Sequence, residues 1–236
     1  YPGGNPFATG HMGVLQDGAN TLIQVDQDGA GAGGWTTTAT LQNVTATDLT
    51  AFNFGGYGPD GSPVAGQTIN GTSASETLTG TLGDDVINGL EGNDTLIGED
   101  GADTLNGGDG FDQLQGGLGA DTLNGGADSD TLQGGAADDL LYGEGGNDSL
   151  YGDAGNDLLD GGDGDDSLED YQGTNTLLGG EGNDRIYAYG SGSTADGGSG
   201  HDTLVGGYLG TLTGRAGNDT IHPDYYTTID AQEGSG

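Results

Sequence analysis

Aspartate recurs at one phase of a nine-residue spacing through most of this chain. The positions are Asp85, Asp94, Asp103, Asp112, Asp121, Asp130, Asp139, Asp148, Asp157, Asp166, Asp184 and Asp202, and Asp219 continues the series. A side chain that keeps its phase in a short repeat is carried to the same place in every copy of the structure. Carboxylates stacked in this way repel one another unless a cation lies between them. The chain has 38 Asp and Glu against two Arg, Arg185 and Arg215, and no Lys, so its net charge is −36. It cannot balance the ladder from within. Ca²⁺ accepts six to eight oxygens at roughly 2.3–2.6 Å and suits such a site better than Mg²⁺, which prefers a small octahedral shell and retains its waters. Turn propensity accounts for Asp in a turn. It does not account for one Asp per unit with almost no basic residue nearby.

Other chemistry is poorly represented. His11, His201 and His222 are the only histidines and no pair has zinc-ligand spacing, while Cys is absent. His201 stands at a variable turn position and reads as a solvated side chain. No H-E-x-x-H, nucleophile elbow or Walker loop occurs, and no helix follows the glycine-rich stretches that mimic nucleotide loops. The EF-hand pattern fails on its Asp spacing and its terminal Glu. Asp26 and Asp28 could hold a separate ion but read as a plain acidic loop. No catalytic residue is expected. The charge disfavours nucleic acid and anionic membranes, and no apolar run is long enough to span a bilayer.

The elements that must position the aspartates are the repeats themselves. Residues 71–205 divide without a slip into fifteen units of nine. Gly107-Gly108-Asp109-Gly110-Phe111-Asp112-Gln113-Leu114-Gln115 and Gly197-Gly198-Ser199-Gly200-His201-Asp202-Thr203-Leu204-Val205 are clean copies of G-G-x-G-x-D-x-U-x, with U a large aliphatic. Gly is 55 of 236 residues but Pro only 5, which excludes collagen. A hydrophobic content of 31% would ordinarily suggest disorder. The repeat offers another explanation. Six turn-forming residues followed by a three-residue strand place U on one face. Two units close an 18-residue coil, and coils stack at about 4.8 Å into two parallel sheets. One sheet buries Leu96, Leu114, Leu132, Leu150, Leu168, Ile186 and Leu204, and the other Ile87, Leu105, Leu123, Leu141, Leu159 and Leu177. The core is thin, so few apolar residues suffice.

This nonapeptide resembles the calcium-binding repeat of the RTX (repeats-in-toxin) family, over residues 71–205 strictly and more loosely beyond. The resemblance implies an all-β fold, a parallel β-roll or solenoid. It also implies calcium ions held by the aspartates above, with carbonyls of the first four turn positions completing each shell. It further implies a secreted or cell-surface protein exported by bacterial type I secretion. Extracellular modules bind Ca²⁺ with Kd of about 10⁻⁴–10⁻³ M. Each site filled at ten times its Kd adds about 1.4 kcal/mol, so about ten sites rival the stability of a whole domain, about 5–15 kcal/mol. Folding is then switched by compartment. The role expected is a secretion and folding element, and a rigid spacer, within a larger exported protein. The alternative is an adhesive module that presents its outer faces to a protein or polysaccharide.

Residues 1–57 read as a β-rich cap or the end of an upstream roll. Strands are expected at Asn20–Asp26 and Trp35–Leu41 around a loop at Gln27–Gly34, and Gly18–Ile23 resembles a decayed repeat. Phe52, Phe54 and Tyr57 precede a linker at 58–70, and residues 206–236 are degenerate repeats, read as truncated. Asn88, Asn106 and Asn124 should form a surface ladder. Leu140, Tyr142, Leu158 and Leu178 read as scattered exposed apolar residues rather than an interface. The two calcium rows should be unequal. One runs from Glu76 through Asp94 to Asp202, whereas the other passes from Asp157 to Asn175 and Ser193 and should weaken there. Ala137 and Asp128 replace turn glycines, so distorted turns are expected at both.

Overall fold

The structure, a computed structural model, describes the backbone of residues 12–17, 20–26 and 35–42, and residues 64–224 and 226–230 in full. The chain forms two compact units, residues 1–65 and 66–236. In the first, strands Met12–Asp17, Asn20–Asp26 and Trp35–Gln42 make an antiparallel sheet with Asn20–Asp26 in the centre. The two expected strands are present, and Met12–Asp17 joins them. Asn20–Ile23 therefore pairs antiparallel on both sides and does not follow the repeat pattern it resembles. The loop Gln27–Gly34 with Asp28, the aromatic residues Phe52, Phe54 and Tyr57, and residues 58–63 lie outside the described residues, as does the side chain of Asp26.

The second unit is a parallel β-roll of two sheets, with ten strands in one and nine in the other. Successive strands alternate between the sheets, so each strand hydrogen-bonds to the strand two further along the chain. In the regular region the register is 18 residues, as in Leu105↔Leu123↔Leu141 and Leu114↔Leu132↔Leu150. Every U position named above is buried, at 0–2% exposure, and Ala188, Ala195 and Leu212 continue the same core. Strand Thr68–Asn70 pairs with Val86–Glu91, so the roll begins inside the stretch read as linker. Past Val205 the roll also continues. The eight-residue unit 206–213 shortens the register to 17, giving Ala195↔Leu212 and Leu204↔Ile221, and the aliphatic ladder absorbs the deletion without losing its phase. No helix of the described residues is long and apolar enough to cross a membrane.

The strands are longer than the three residues the repeat suggests. Thr104–Asp109 is typical, taking Gly107, Gly108 and Asp109 into the ladder. From Gly89 onward, the glycine at the first position of a regular unit is an extended, buried strand residue. Its requirement for glycine is steric, because a Cβ on Gly107 would strike Asp112 Oδ2 and lie 2.5 Å from the Gly125 carbonyl oxygen. The fourth position needs glycine for its backbone angle, as at Gly110 with φ of 130°. Asp128 and Ala137 occupy that position with φ of 73° and 89°. The distortion expected there is a left-handed backbone narrowed from the glycine value, with the ladder on either side intact. A Cβ in the left-handed region costs roughly 1–2 kcal/mol, part of which glycine returns through the unfolded chain. Ala137→Gly should therefore stabilise the calcium-loaded roll by about 1 kcal/mol, read as a rise in its denaturation midpoint.

On the outer face Asn106 and Asn124 donate their side-chain amides to Asn88 and Asn106, at 2.8 and 2.7 Å. Asn88 extends the expected ladder to Asn70 at 2.8 Å. Leu140 pairs with Leu158, while Asp160 lies between Tyr142 and Leu178 in the adjoining row.

Candidate metal centre

Alternation along each strand turns U into the core and the strand's end carries the aspartate to the roll's edge, so each edge collects one carboxylate per coil. Asp85, Asp94, Asp103, Asp112, Asp121, Asp130, Asp139, Asp148, Asp157, Asp166, Asp184 and Asp202 are all buried, at 0–3% exposure. Asp219 is half-buried. On one edge the backbone N–H of Asp85 donates to Asp103 Oδ1, that of Asp103 to Asp121, and so on through Asp139 and Asp157 to Asn175 and Ser193 Oγ. On the other edge the chain of bonds runs from Glu76 through Asp94, Asp112, Asp130, Asp148, Asp166, Asp184 and Asp202 to Asp219. All are 2.7–3.0 Å long. The structure thus gathers the sequence-identified aspartates into two rows.

These bonds satisfy one oxygen of each carboxylate. The other, Oδ2, has no partner at Asp94, Asp103, Asp112, Asp121, Asp130, Asp139, Asp148, Asp157, Asp166, Asp184 and Asp202. A buried carboxylate oxygen without a partner is costly, and here the cost repeats in every coil. Burial pushes the Asp121, Asp130 and Asp166 carboxyls up to about 7, and those of Asp103, Asp139 and Asp184 to about 6. The backbone N–H from the preceding coil opposes the rise, and the carboxylates of neighbouring coils add to it. A cation in the row removes both the desolvation cost and the repulsion.

The remaining donors are neutral. Among the described residues no point gathers three Asp, Glu, His or Cys side chains. An ion between two coils would therefore meet carboxylates from those coils and otherwise backbone carbonyls. The carbonyl oxygens of Leu90 and Gly92 point along the edge at Gly108 and Gly110, where a Cβ would cover them. An all-oxygen donor set with few carboxylates and many carbonyls suits calcium and not a softer metal.

The rows end differently from their middles. Asp85 Oδ2 accepts from the Thr81 N–H and, at 3.0 Å, from its hydroxyl, while Glu76 Oε2 accepts the Thr72 N–H at 2.6 Å. These two oxygens are already satisfied. At the other end of the Asp85 edge, Asn175 and Ser193 keep the coil-to-coil hydrogen bond but bring no charge. There Tyr171 and Tyr189 of successive coils stack at 5.0 Å, with Tyr187 stacked against Tyr189 at 6.2 Å. Such pairs contribute about 0.5–1.5 kcal/mol, so ring stacking joins coils where the regular carboxylates stop. One further buried carboxylate, Asp170, escaped the reading by phase because it stands at the first position of its unit and not the sixth. The signal available was the unit itself, Asp170–Leu178, which has Asp for the first Gly and Asn for the Asp.

Two parallel sheets closed by glycine turns, with free carboxylate oxygens in rows along both edges, define a calcium-binding β-roll. The family model of the RTX calcium-binding nonapeptide repeat (4 copies) matches residues 70–105, 97–132, 125–159, 133–168, 169–204, 196–208 and 211–223. The chain belongs to the RTX calcium-binding nonapeptide repeat family. No curated protein matches it.

Proposed function

We infer that this chain is a module that folds on binding calcium outside the cell and serves as a secretion and folding element, and rigid spacer, of a larger exported protein. The observation that carries the reading is the row of unpartnered, buried Oδ2 atoms on each edge. A fold that buries this much uncompensated carboxylate is unfavourable without metal and favourable with it. The aspartates from Asp94 to Asp202 and from Asp103 to Asp157 hold the ions in this reading, with backbone carbonyls of the glycine turns. Cytosolic calcium is scarce, so the chain stays expanded before export, and the millimolar calcium outside then folds it.

The test is small-angle scattering across a calcium titration from micromolar to 10 mM at neutral pH. The radius of gyration should fall by about two-thirds, from the expanded to the compact scaling for a chain of this length. The midpoint should fall in the 10⁻⁴–10⁻³ M range of extracellular modules, roughly. A chain already compact at micromolar calcium would overturn the compartment switch.

A further inference from the structure

Resting on the calcium-module reading, we propose that Asp157 and Asp170 together bind one further calcium ion, continuing the row past the point where Asn175 interrupts it. Asp170 ends the strand Ser167–Asp170 and is fully buried, at 0% exposure. Its Oδ1 accepts the Gln172 N–H at 3.1 Å, and its Oδ2 has no partner. That oxygen is aimed into the row. A Cβ placed on Gly152 would meet Asp170 Oδ2 first and Asp157 Oδ2 at 2.7 Å. In regular coils the residue 18 positions after such a glycine puts its carbonyl oxygen there, as Gly107 does for Gly89 and Gly161 for Gly143. Here a carboxylate oxygen takes the place of the carbonyl.

The exchange goes with a change of hydrogen bonding at position six. A first-position Cβ collides with Oδ2 of the sixth-position Asp in its own unit, as at Gly143 with Asp148 and Gly179 with Asp184. Asp170–Leu178 has at position six Asn175, a side chain of the same size as Asp whose amide can donate where a second carboxylate could only accept. Asn175 turns its amide to the Gln172 carbonyl, donating at 2.7 Å, and presents no free oxygen to the row beyond the one that accepts the Asp157 N–H. The coil thus keeps one free carboxylate oxygen but supplies it from a different residue. Asp157 and Asp170 Oδ2 are two buried acceptors facing each other, and they require either a shared proton or a cation. With Asp157 already in a row of metal-binding carboxylates, the cation continues the pattern. The carbonyl oxygen of Gly155, directed at Gly173, is a further donor from the same coil.

Calcium bound per chain is measured by equilibrium dialysis for the intact chain, Asp170→Asn, and the double variant Asp170→Gly with Asn175→Asp. Asp170→Asn should bind one ion fewer. The double variant, which rebuilds the regular unit, should return to the original number. An amide at position 170 can donate to Asp157 and so replaces a shared proton. An unchanged count in Asp170→Asn would therefore overturn the proposal while leaving the other sites, and the module reading, in place. An intact chain that binds no calcium would overturn both. If Asp170→Asn does not fold, anomalous scattering from calcium-grown crystals of the intact chain decides. A peak between Asp157 and Asp170 supports the site, and its absence beside peaks elsewhere in the row overturns it.

Discussion

Stripped of calcium by chelator at neutral pH, residues 66–230 are expected to lose their two parallel sheets, and millimolar Ca²⁺ should restore them in one cooperative step. The expected effect is the whole β-signal of the roll in far-ultraviolet circular dichroism. Eleven regular aspartates, with Asp170, bury an Oδ2 atom that has no partner, and the chain has only two Arg to offset a net charge of −36. Against these costs stand a core one aliphatic ladder thick per sheet and the hydrogen bonds between coils. Cooperativity follows from the stacking, since each coil buries its face only against its neighbours. The antiparallel sheet within residues 12–42 belongs to a separate compact unit, and its sequence lacks the nine-residue Asp phase. Trp35 lies in that sheet, so its fluorescence should follow a different calcium midpoint from the dichroism. Equal β-content with and without chelator would refute the calcium requirement, and coincident midpoints would mean that the two units fold together.

Acid should partly replace calcium. In the metal-free roll, burial and the neighbouring carboxylates raise Asp121, Asp130, Asp166 and Asp170 to about 7, and Asp103, Asp139 and Asp184 to about 6. The unfolded chain titrates near 3.8. A carboxyl whose folded value is raised binds its proton more tightly in the folded state. Its contribution to stability is fully present below the unfolded value and is lost as pH rises through 6–7. Calcium-free chain that is unfolded at pH 7.5 should therefore gain β-structure as pH falls towards 4. Over the same range protons compete with calcium for Oδ2, so the calcium midpoint should rise. A dichroism titration in chelator checks the first effect. No gain of β-signal between pH 7.5 and 4 would mean that carboxylate ionisation is not what holds the metal-free chain open.

The regular part of this protein was legible in its sequence because the repeat is short and its side chains alternate. A nine-residue period with U and Asp at fixed phases allows one arrangement in which every U is buried, and Leu96 to Leu204 and Ile87 to Leu177 all lie in the core. The same phase places the aspartates from Asp85 to Asp202 along the two edges. What tertiary structure alone decided lies where the phase is broken. Residues 206–213 are one residue short, yet the sheet continues at a register of 17, because a buried Leu212 beneath Ala195 holds the ladder more strongly than the turn length does. Thr68–Asn70 joins the roll because the exposed end of a parallel sheet offers unpaired backbone groups to whatever strand precedes it. Asp85, alike in sequence to its neighbours, has its second oxygen satisfied by Thr81. Asp170, out of phase and inconspicuous among 38 acidic residues, turns its carboxylate into the row, where its Oδ2 and that of Asp157 meet over Gly152 of the adjoining coil. Phase in a sequence records which residues share a place, whereas the contacts across 18 residues determine which oxygen is left free.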